Sequence, residues 1–140
     1  MKDYWIVLVD DDQDDALLLE HLVLHKPRIK FNHYIDPVLF LADLQAGACQ
    51  ADLVVVDFRL PSYNGLDIIK SIHFYCHDSL PKLVLWSGSQ ITNQELKICL
   101  ELQAVFIEKS PQAYISITEA ILEGKVNWDS FGGGLVSEKV

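Results

Sequence analysis

The sequence predicts an α/β fold in which helices cover both faces of a five-stranded parallel sheet. Short apolar, β-branched runs recur along the 140-residue chain, and each is followed by a segment with helical periodicity. The strongest runs are apolar at nearly every position, which is typical of strands that are buried on both faces. These two observations together predict a repeated strand–helix unit.

The apolar and alternating runs of the sequence predict five strands. A weaker run at residues 29–34 alternates polar and apolar side chains, which suits a strand at the edge of the sheet. The four stronger strands are predicted at residues 5–9, 53–56, 83–86 and 104–107.

Five helices are predicted after these strands, at residues 13–24, 37–44, 66–75, 93–102 and 113–122. Residues suited to capping precede several of them, namely Asp12, Asp36 and Thr92, the last with Glu95 placed for a capping box. The buried face of the first helix is expected to carry Leu18, Leu19, Leu22 and Val23.

Right-handed connections in a chain with five strand–helix units favour the strand order 2-1-3-4-5. In such sheets ligands bind beyond the carboxyl ends of the strands, near the point between strands one and three where the order reverses. We assign residues 1–124 to this domain and residues 125–140 to a C-terminal tail.

Charge and composition argue against several classes of protein. The net charge of −9, from 11 basic and 20 acidic residues, argues against a nucleic-acid partner. Apolar runs are too short for a signal-peptide core or a membrane span, so no membrane partner is expected. Three cysteines without a C-x-x-C pair indicate reduced thiols, and we therefore expect a cytoplasmic protein.

Polar residues follow each central strand where it ends. Asp10 and Asp11 follow the first, Asp57 the third, Ser87 the fourth and Lys109 the fifth. The carboxyl ends of parallel strands meet at one edge of a sheet, so we expect these side chains to converge.

Five carboxylates fall within residues 10–15, and they divide into two sets. Asp10 and Asp11 continue the first strand into the crevice. Asp12, Asp14 and Asp15 are assigned to the start of the first helix, where the helix dipole favours negative charge.

The expected cluster predicts a particular chemistry. Three carboxylates in one crevice disfavour full ionisation unless a cation joins them, and oxygen ligands with room for water suit Mg²⁺. A lysine and a hydroxyl beside a magnesium-bound carboxylate form a site that stabilises a phosphoryl group. One of the carboxylates can then itself act as the nucleophile and form an aspartyl phosphate.

Four segments together resemble the receiver domains of response regulators in two-component signalling. They are the acidic pair after IVLV, VVVDFRLPSYNG at 54–65, LVLWSGS at 83–89 and AVFIEKSP at 104–111. The resemblance runs from about residue 4 to residue 122. It implies a flavodoxin-like receiver fold and a chemotaxis-regulator-like, single-domain protein.

The resemblance implies a role for each matching residue. Asp57 would accept a phosphoryl group from a sensor histidine kinase or a histidine phosphotransfer protein. Asp10, Asp11, Asp57 and the backbone carbonyl of Arg59 would hold Mg²⁺.

Further roles concern phosphoryl binding and signalling. Ser87 and Lys109 would bind the phosphoryl oxygens, and Ser87 and Phe106 would move as a switch. The sequence departs from the family after Lys109, where Ser110 stands in place of the usual proline, so the cis bond often found there is not assured.

The sequence therefore predicts a response regulator that signals through phosphorylation-dependent binding to a partner that the sequence does not identify. We expect a signalling module rather than an enzyme, with no attached output domain; a homodimer remains open. One alternative is a receiver-like scaffold that acts without phosphorylation. Another is a haloacid-dehalogenase-like phosphohydrolase, which would carry a second aspartate where this chain has Arg59.

Overall fold

The computed structural model describes residues 3–23, 28–48, 50–110 and 112–113. Its main sheet consists of β1 (Tyr4–Val9), β2 (Ile29–Tyr34), β3 (Leu53–Asp57), β6 (Lys82–Ser87) and β7 (Ala104–Glu108). The short strands β4 (Arg59–Leu60) and β5 (Tyr63–Asn64) form a separate hairpin. The helices are α1 (Gln13–Val23), α2 (Pro37–Gln45), α3 (Gly65–Tyr75) and α4 (Asn93–Glu101).

The main sheet has the order β2-β1-β3-β6-β7, and every pairing in it is parallel. This confirms the predicted fold class and the order 2-1-3-4-5, once the hairpin strands are left out of the count. It also confirms that β2 lies at an edge. Among the described residues, no helix has the length and apolar character needed to cross a membrane.

The hairpin of β4 and β5 was not predicted. Each strand has only two residues, which is too short to show periodicity. The turn between them places Ser62 at a φ of 64°, in the left-handed region. The hairpin lies directly between Asp57 and α3, and so it shapes the loop that follows the third sheet strand.

Successive residues of the central strands are buried on opposite faces of the sheet. In β1, Ile6 and Leu8 pack in a cluster that includes residues of α1, whereas Val7 and Val9 pack in a cluster with residues of α2, α3 and α4. Both clusters are closed to solvent. This two-sided burial explains why the central strands are apolar at nearly every position.

The predicted buried face of α1 is wrong in part. Leu18 is 41% exposed, whereas Ala16, Leu19 and Val23 are buried. These three residues follow the i, i+3, i+7 spacing of one helix face. The side chain of Leu22 lies outside the described residues.

The predicted helix caps are confirmed. The side chain of Asp36 accepts a hydrogen bond from the backbone N–H of Val38, and Thr92 and Glu95 form the capping box. The Asp12 carboxylate accepts from the backbone N–H of Asp14 at 2.8 Å. Caps of this kind satisfy backbone donors that have no partner within the helix.

The predicted fifth helix beyond residue 113 and the tail at 125–140 lie outside the described residues, as does Cys49. The division into a domain and a tail therefore stays a prediction. Cys76 and Cys99 carry free thiols, and burial raises the pKa of Cys99 to about 12, which keeps that thiol protonated.

Gly65 is required where α3 begins. Its backbone N–H donates to the carbonyl of Phe58 at 2.8 Å, which brings the helix start against the end of β3. A Cβ atom at this position would lie 2.5 Å from the carbonyl oxygen of Asp57 and 2.7 Å from Cδ1 of Leu85. Any side chain here would therefore push α3 away from the strand that carries Asp57.

We expect Gly65→Ala to lower the free energy of unfolding by about 1–3 kcal/mol, because backbone atoms cannot give way to the added methyl group. Urea denaturation measures the change. Gly88→Ala is the matched control, since a Cβ there would meet no atom within 4 Å. Equal stability losses in the two variants would contradict the steric explanation.

Candidate functional site

The ends of the sheet strands come together in register at one edge. Val9 of β1 is aligned with Val56 of β3, so Asp10 and Asp57 follow at neighbouring positions. Asp57 is in turn aligned with Trp86. Ser87 is the last residue of β6, and Lys109 directly follows β7. The backbone N–H of Lys109 donates to the carbonyl of Ser87 at 2.8 Å.

Asp10, Asp11 and Asp57 form the carboxylate cluster of this edge. One carboxylate oxygen from each lies within 4.8 Å of the other two. Asp10 and Asp57 are buried, whereas Asp11 is exposed. The cluster is the arrangement expected from the sequence, and its oxygen donors could hold a divalent metal ion with solvent on one side.

Asp10 is fully buried and is fixed by several contacts. Its Oδ1 accepts a hydrogen bond from the backbone N–H of Asp12 at 2.9 Å. Its Oδ2 accepts one from the indole Nε1 of Trp86 at 3.2 Å and lies 3.2 Å from Nζ of Lys109. The imidazole Nε2 of His33 donates to the backbone carbonyl of Asp10 at 2.6 Å.

The environment of Asp10 favours its neutral form. Burial is the largest cause and raises the pKa of this carboxyl to about 7. The negative charge of Asp57 acts in the same direction, whereas the Asp12 N–H and the Lys109 ammonium oppose it. A divalent cation in the cluster would favour the ionised form.

Lys109 is the cationic partner of the cluster. Its ammonium lies 2.7 Å from Asp15, 3.2 Å from Asp10 and 3.4 Å from Asp57. Burial lowers the pKa of Lys109, but the carboxylates outweigh burial and raise it above its ordinary value. The lysine therefore stays charged at neutral pH and well above it.

The contact of Asp15 with Lys109 was missed by the sequence analysis, which assigned Asp15 to the helix dipole alone. Asp15 precedes Leu19 and Val23 by one and two turns, and both of those side chains are buried. The spacing 15, 19, 23 was the signal that this carboxylate faces the sheet instead of solvent.

Ser87 and Arg59 meet through Ser89. Oγ of Ser87 accepts a hydrogen bond from the backbone N–H of Ser89 at 3.1 Å and lies 3.3 Å from its Oγ. Nε of Arg59 donates to Oγ of Ser89 at 3.0 Å, and the backbone N–H of Arg59 donates to Oδ1 of Asp57 at 3.2 Å. The Arg59 side chain therefore bridges the loops that follow β3 and β6.

Phe106 is buried in the cluster shared with α2, α3 and α4, aligned with Leu85 of β6. Its role as a switch stays a prediction. All peptide bonds among the described residues are trans, including the one between Lys109 and Ser110. Oγ of Ser110 accepts from the backbone N–H of Ala113 at 3.1 Å, which is the geometry of a helix cap.

Comparison with known sequences gives only distant relatives. No protein-family model matches the chain. The chain is 28% identical over 82 residues to the cyclic di-GMP phosphodiesterase response regulator RpfG of Xanthomonas campestris pv. campestris (strain 8004). This match covers 57% of the chain and only 21% of the relative.

Solved structures share the fold at low sequence identity. The phosphorylated cyanobacterial phytochrome response regulator RcpA has a TM-score of 0.76 at 20% identity, covering 89% of this chain and 97% of that one. A CheY-like response regulator receiver domain protein from Methanospirillum hungatei JF-1 gives 0.75 at 18%, covering 92% and 98%. The Mn(2+)-bound response regulator Rcp1 gives 0.73 at 18%, covering 86% and 95%. The chain therefore has the flavodoxin-like fold of receiver domains.

The raised pKa of Asp10 predicts a pH-dependent effect of Asp10→Asn in the absence of metal. Between its ordinary value of 3.8 and about 7, the folded chain holds a proton on Asp10 that the unfolded chain has lost. Wild-type stability therefore falls as the pH rises through this window, whereas the uncharged amide of the variant does not titrate. We expect the variant to gain up to about 4 kcal/mol over wild type between about pH 4 and pH 8.

Urea denaturation with EDTA at both pH values measures this gain. Asp14→Asn removes an exposed carboxylate from the neighbouring helix and is the control, with no such gain expected. An Asp10→Asn effect that is the same at both pH values would refute the assigned cause.

Proposed function

We propose that this chain is a receiver module of a two-component pathway, which accepts a phosphoryl group on Asp57 in a Mg²⁺-dependent reaction. The observation that carries the proposal is the cluster of Asp10, Asp11 and Asp57 with the Lys109 ammonium, at the carboxyl edge of a receiver fold. The response regulators of the same fold support it.

Mg²⁺ fits the donor set. Three carboxylate oxygens provide hard ligands, and the exposed position of Asp11 leaves room for the waters that Mg²⁺ retains. The backbone carbonyl of Arg59 is the proposed fourth protein ligand. When bound, the ion would neutralise negative charge on the cluster and on phosphoryl oxygens. The Mn²⁺ named for Rcp1 is in keeping with a divalent ion in this fold.

Asp57 is the proposed phosphoacceptor because, of the two buried carboxylates in the cluster, it retains some exposure: its side chain is 9% exposed, against 0% for Asp10. Asp10 is fully closed to solvent, so a phosphodonor cannot reach it. Asp57 belongs to the same cluster but is not fully closed to solvent. Its carboxylate oxygen attacks the phosphorus, and the bond from phosphorus to the donor breaks with its electrons going to the donor.

The chain's own residues would stabilise the transferred group. Lys109 already lies 3.4 Å from Oδ2 of Asp57, within reach of oxygens on a phosphoryl group attached there. The Ser87 hydroxyl, which now contacts Ser89, would turn to the phosphoryl group. Water later attacks the phosphorus, which releases inorganic phosphate and restores the carboxylate.

Signalling would follow from this rearrangement. Movement of Ser87 toward the phosphoryl group would free space behind it. The ring of Phe106, which is already buried, would shift into that space and alter the surface next to β7. The phosphodonor would be a sensor histidine kinase or a histidine phosphotransfer protein. The module would act as a phosphorylation-dependent binding partner rather than as an enzyme on other substrates.

We expect Mg²⁺ to raise the melting temperature of the wild type at neutral pH, because the ion binds only the folded cluster. Asp11→Asn removes a ligand and should abolish most of this rise. Asp14→Asn carries the same change in charge away from the cluster and should keep it. Thermal unfolding with Mg²⁺ and with EDTA makes the comparison, and equal rises in both variants would contradict the proposed metal site.

We expect the wild type to gain one phosphoryl group when incubated with acetyl phosphate and Mg²⁺, and to gain none with EDTA. Asp57→Asn should gain none, since the amide is not a nucleophile. Asp67→Asn, which alters an exposed carboxylate of α3, should react like the wild type. Intact-mass spectrometry reads the gain.

The control for this reaction is a receiver protein of known reactivity under the same conditions. If that protein reacts and the folded wild type does not, the phosphorylation proposal fails. The receiver-like scaffold that binds partners without phosphorylation would then be the better explanation.

A further inference from the structure

Lys109 has more carboxylate partners than a phosphoryl site requires. Its contacts with Asp10 and Asp57 belong to the cluster, but its shortest contact, a hydrogen bond of 2.7 Å, is to Oδ2 of Asp15. Asp15 lies in the first turn of α1. It is not one of the three carboxylates of the cluster formed by Asp10, Asp11 and Asp57.

The pair of Asp15 and Lys109 is shielded from water. The side chains are 18% and 15% exposed, so solvent screens their attraction less than it would on an open surface. An ammonium group has three N–H donors. In this structure the carboxylates of Asp15, Asp10 and Asp57 all lie within ion-pair distance of it.

A phosphoryl group on Asp57 would bring new negative oxygens to the same ammonium. Lys109 could bind them fully only by weakening another contact, and the contact with Asp15 is the one that lies outside the proposed metal and phosphoryl site. The Asp15 carboxylate also neutralises part of the lysine charge that would attract the phosphoryl oxygens.

We propose that Asp15 is a positioning residue that competes with the phosphoryl group for Lys109 and thereby weakens the hold of the site on that group. The proposal rests on the phosphoacceptor function proposed above for Asp57. It adds a carboxylate on α1 to the residues that set how readily the site is loaded.

Asp15→Asn tests the competition. The amide is similar in shape to the carboxylate but carries no charge, so Lys109 becomes more available. We expect beryllofluoride, a phosphoryl mimic, to bind about fivefold more tightly at saturating Mg²⁺, and acetyl phosphate to load Asp57 faster by a similar factor. Thermal shift titration gives the affinity, and intact mass gives the loading rate.

Asp14→Asn is the matched control, since it makes the same change in charge at an exposed position one residue away. It should leave both measurements at wild-type values. Asp15→Glu restores the charge and should return both measurements toward wild type, which a purely structural role of Asp15 does not predict. Asp15→Ser serves as the uncharged variant if Asp15→Asn does not fold.

Loading of the wild type separates the two proposals. If wild-type protein accepts no phosphoryl group, the proposed function itself fails. If it does accept one, but the uncharged variant binds beryllofluoride no more tightly than Asp14→Asn does, the competition is refuted. Weaker binding by the uncharged variant would also refute it, and would show that Asp15 holds Lys109 in place for the phosphoryl group.

Discussion

The ammonium group of Lys109 is the interaction on which the functional edge of this fold depends. Lys109 follows β7, and its ammonium contacts Asp10 after β1, Asp57 at the end of β3 and Asp15 in the first turn of α1. One cation thus connects the ends of three strands and the start of a helix. Without this cation, buried carboxylates would face one another with no opposite charge between them. Repulsion between buried charges costs far more free energy than repulsion between charges on an exposed surface. The parallel sheet brings these groups together, and the lysine allows them to stay there.

The cluster nevertheless has too little positive charge. Asp10, Asp15 and Asp57 lie within ion-pair distance of Lys109, and Asp11 adds a further carboxyl group beside Asp10 and Asp57. Part of this excess negative charge is removed by protonation of Asp10, because burial and the charge of Asp57 raise the pKa of its carboxyl group. A divalent cation would reduce the excess negative charge by binding the carboxylates. A dianionic phosphoryl group would add negative charge again. The same imbalance thus links metal binding, protonation and phosphoryl binding at one site.

Much of the fold and site could be predicted from the sequence. Strands that are buried on both faces appear as continuous apolar runs, without alternating polar residues, and are therefore easy to recognise. Once those strands are placed, parallel order alone brings Asp10, Asp57 and Lys109 to one edge. The leucine run in α1 was harder, since three adjacent leucines show no polar break that selects a face, and Leu18 proved exposed. The contact of Asp15 escaped prediction because an acidic residue in a first helical turn already has an adequate local reason to be there.

Trp86 has a consequence for how this site can be observed. Its indole is fully buried, and its N–H donates to the Asp10 carboxylate, with the Lys109 ammonium 5.4 Å from the ring centre. Indole fluorescence responds to the electric field along the ring, and here that field comes from the very charges that a metal ion or a phosphoryl group would rearrange. Trp86 is therefore a built-in fluorescent reporter of the charges at the site, to be distinguished from Trp5 and Trp128 by substituting those two residues.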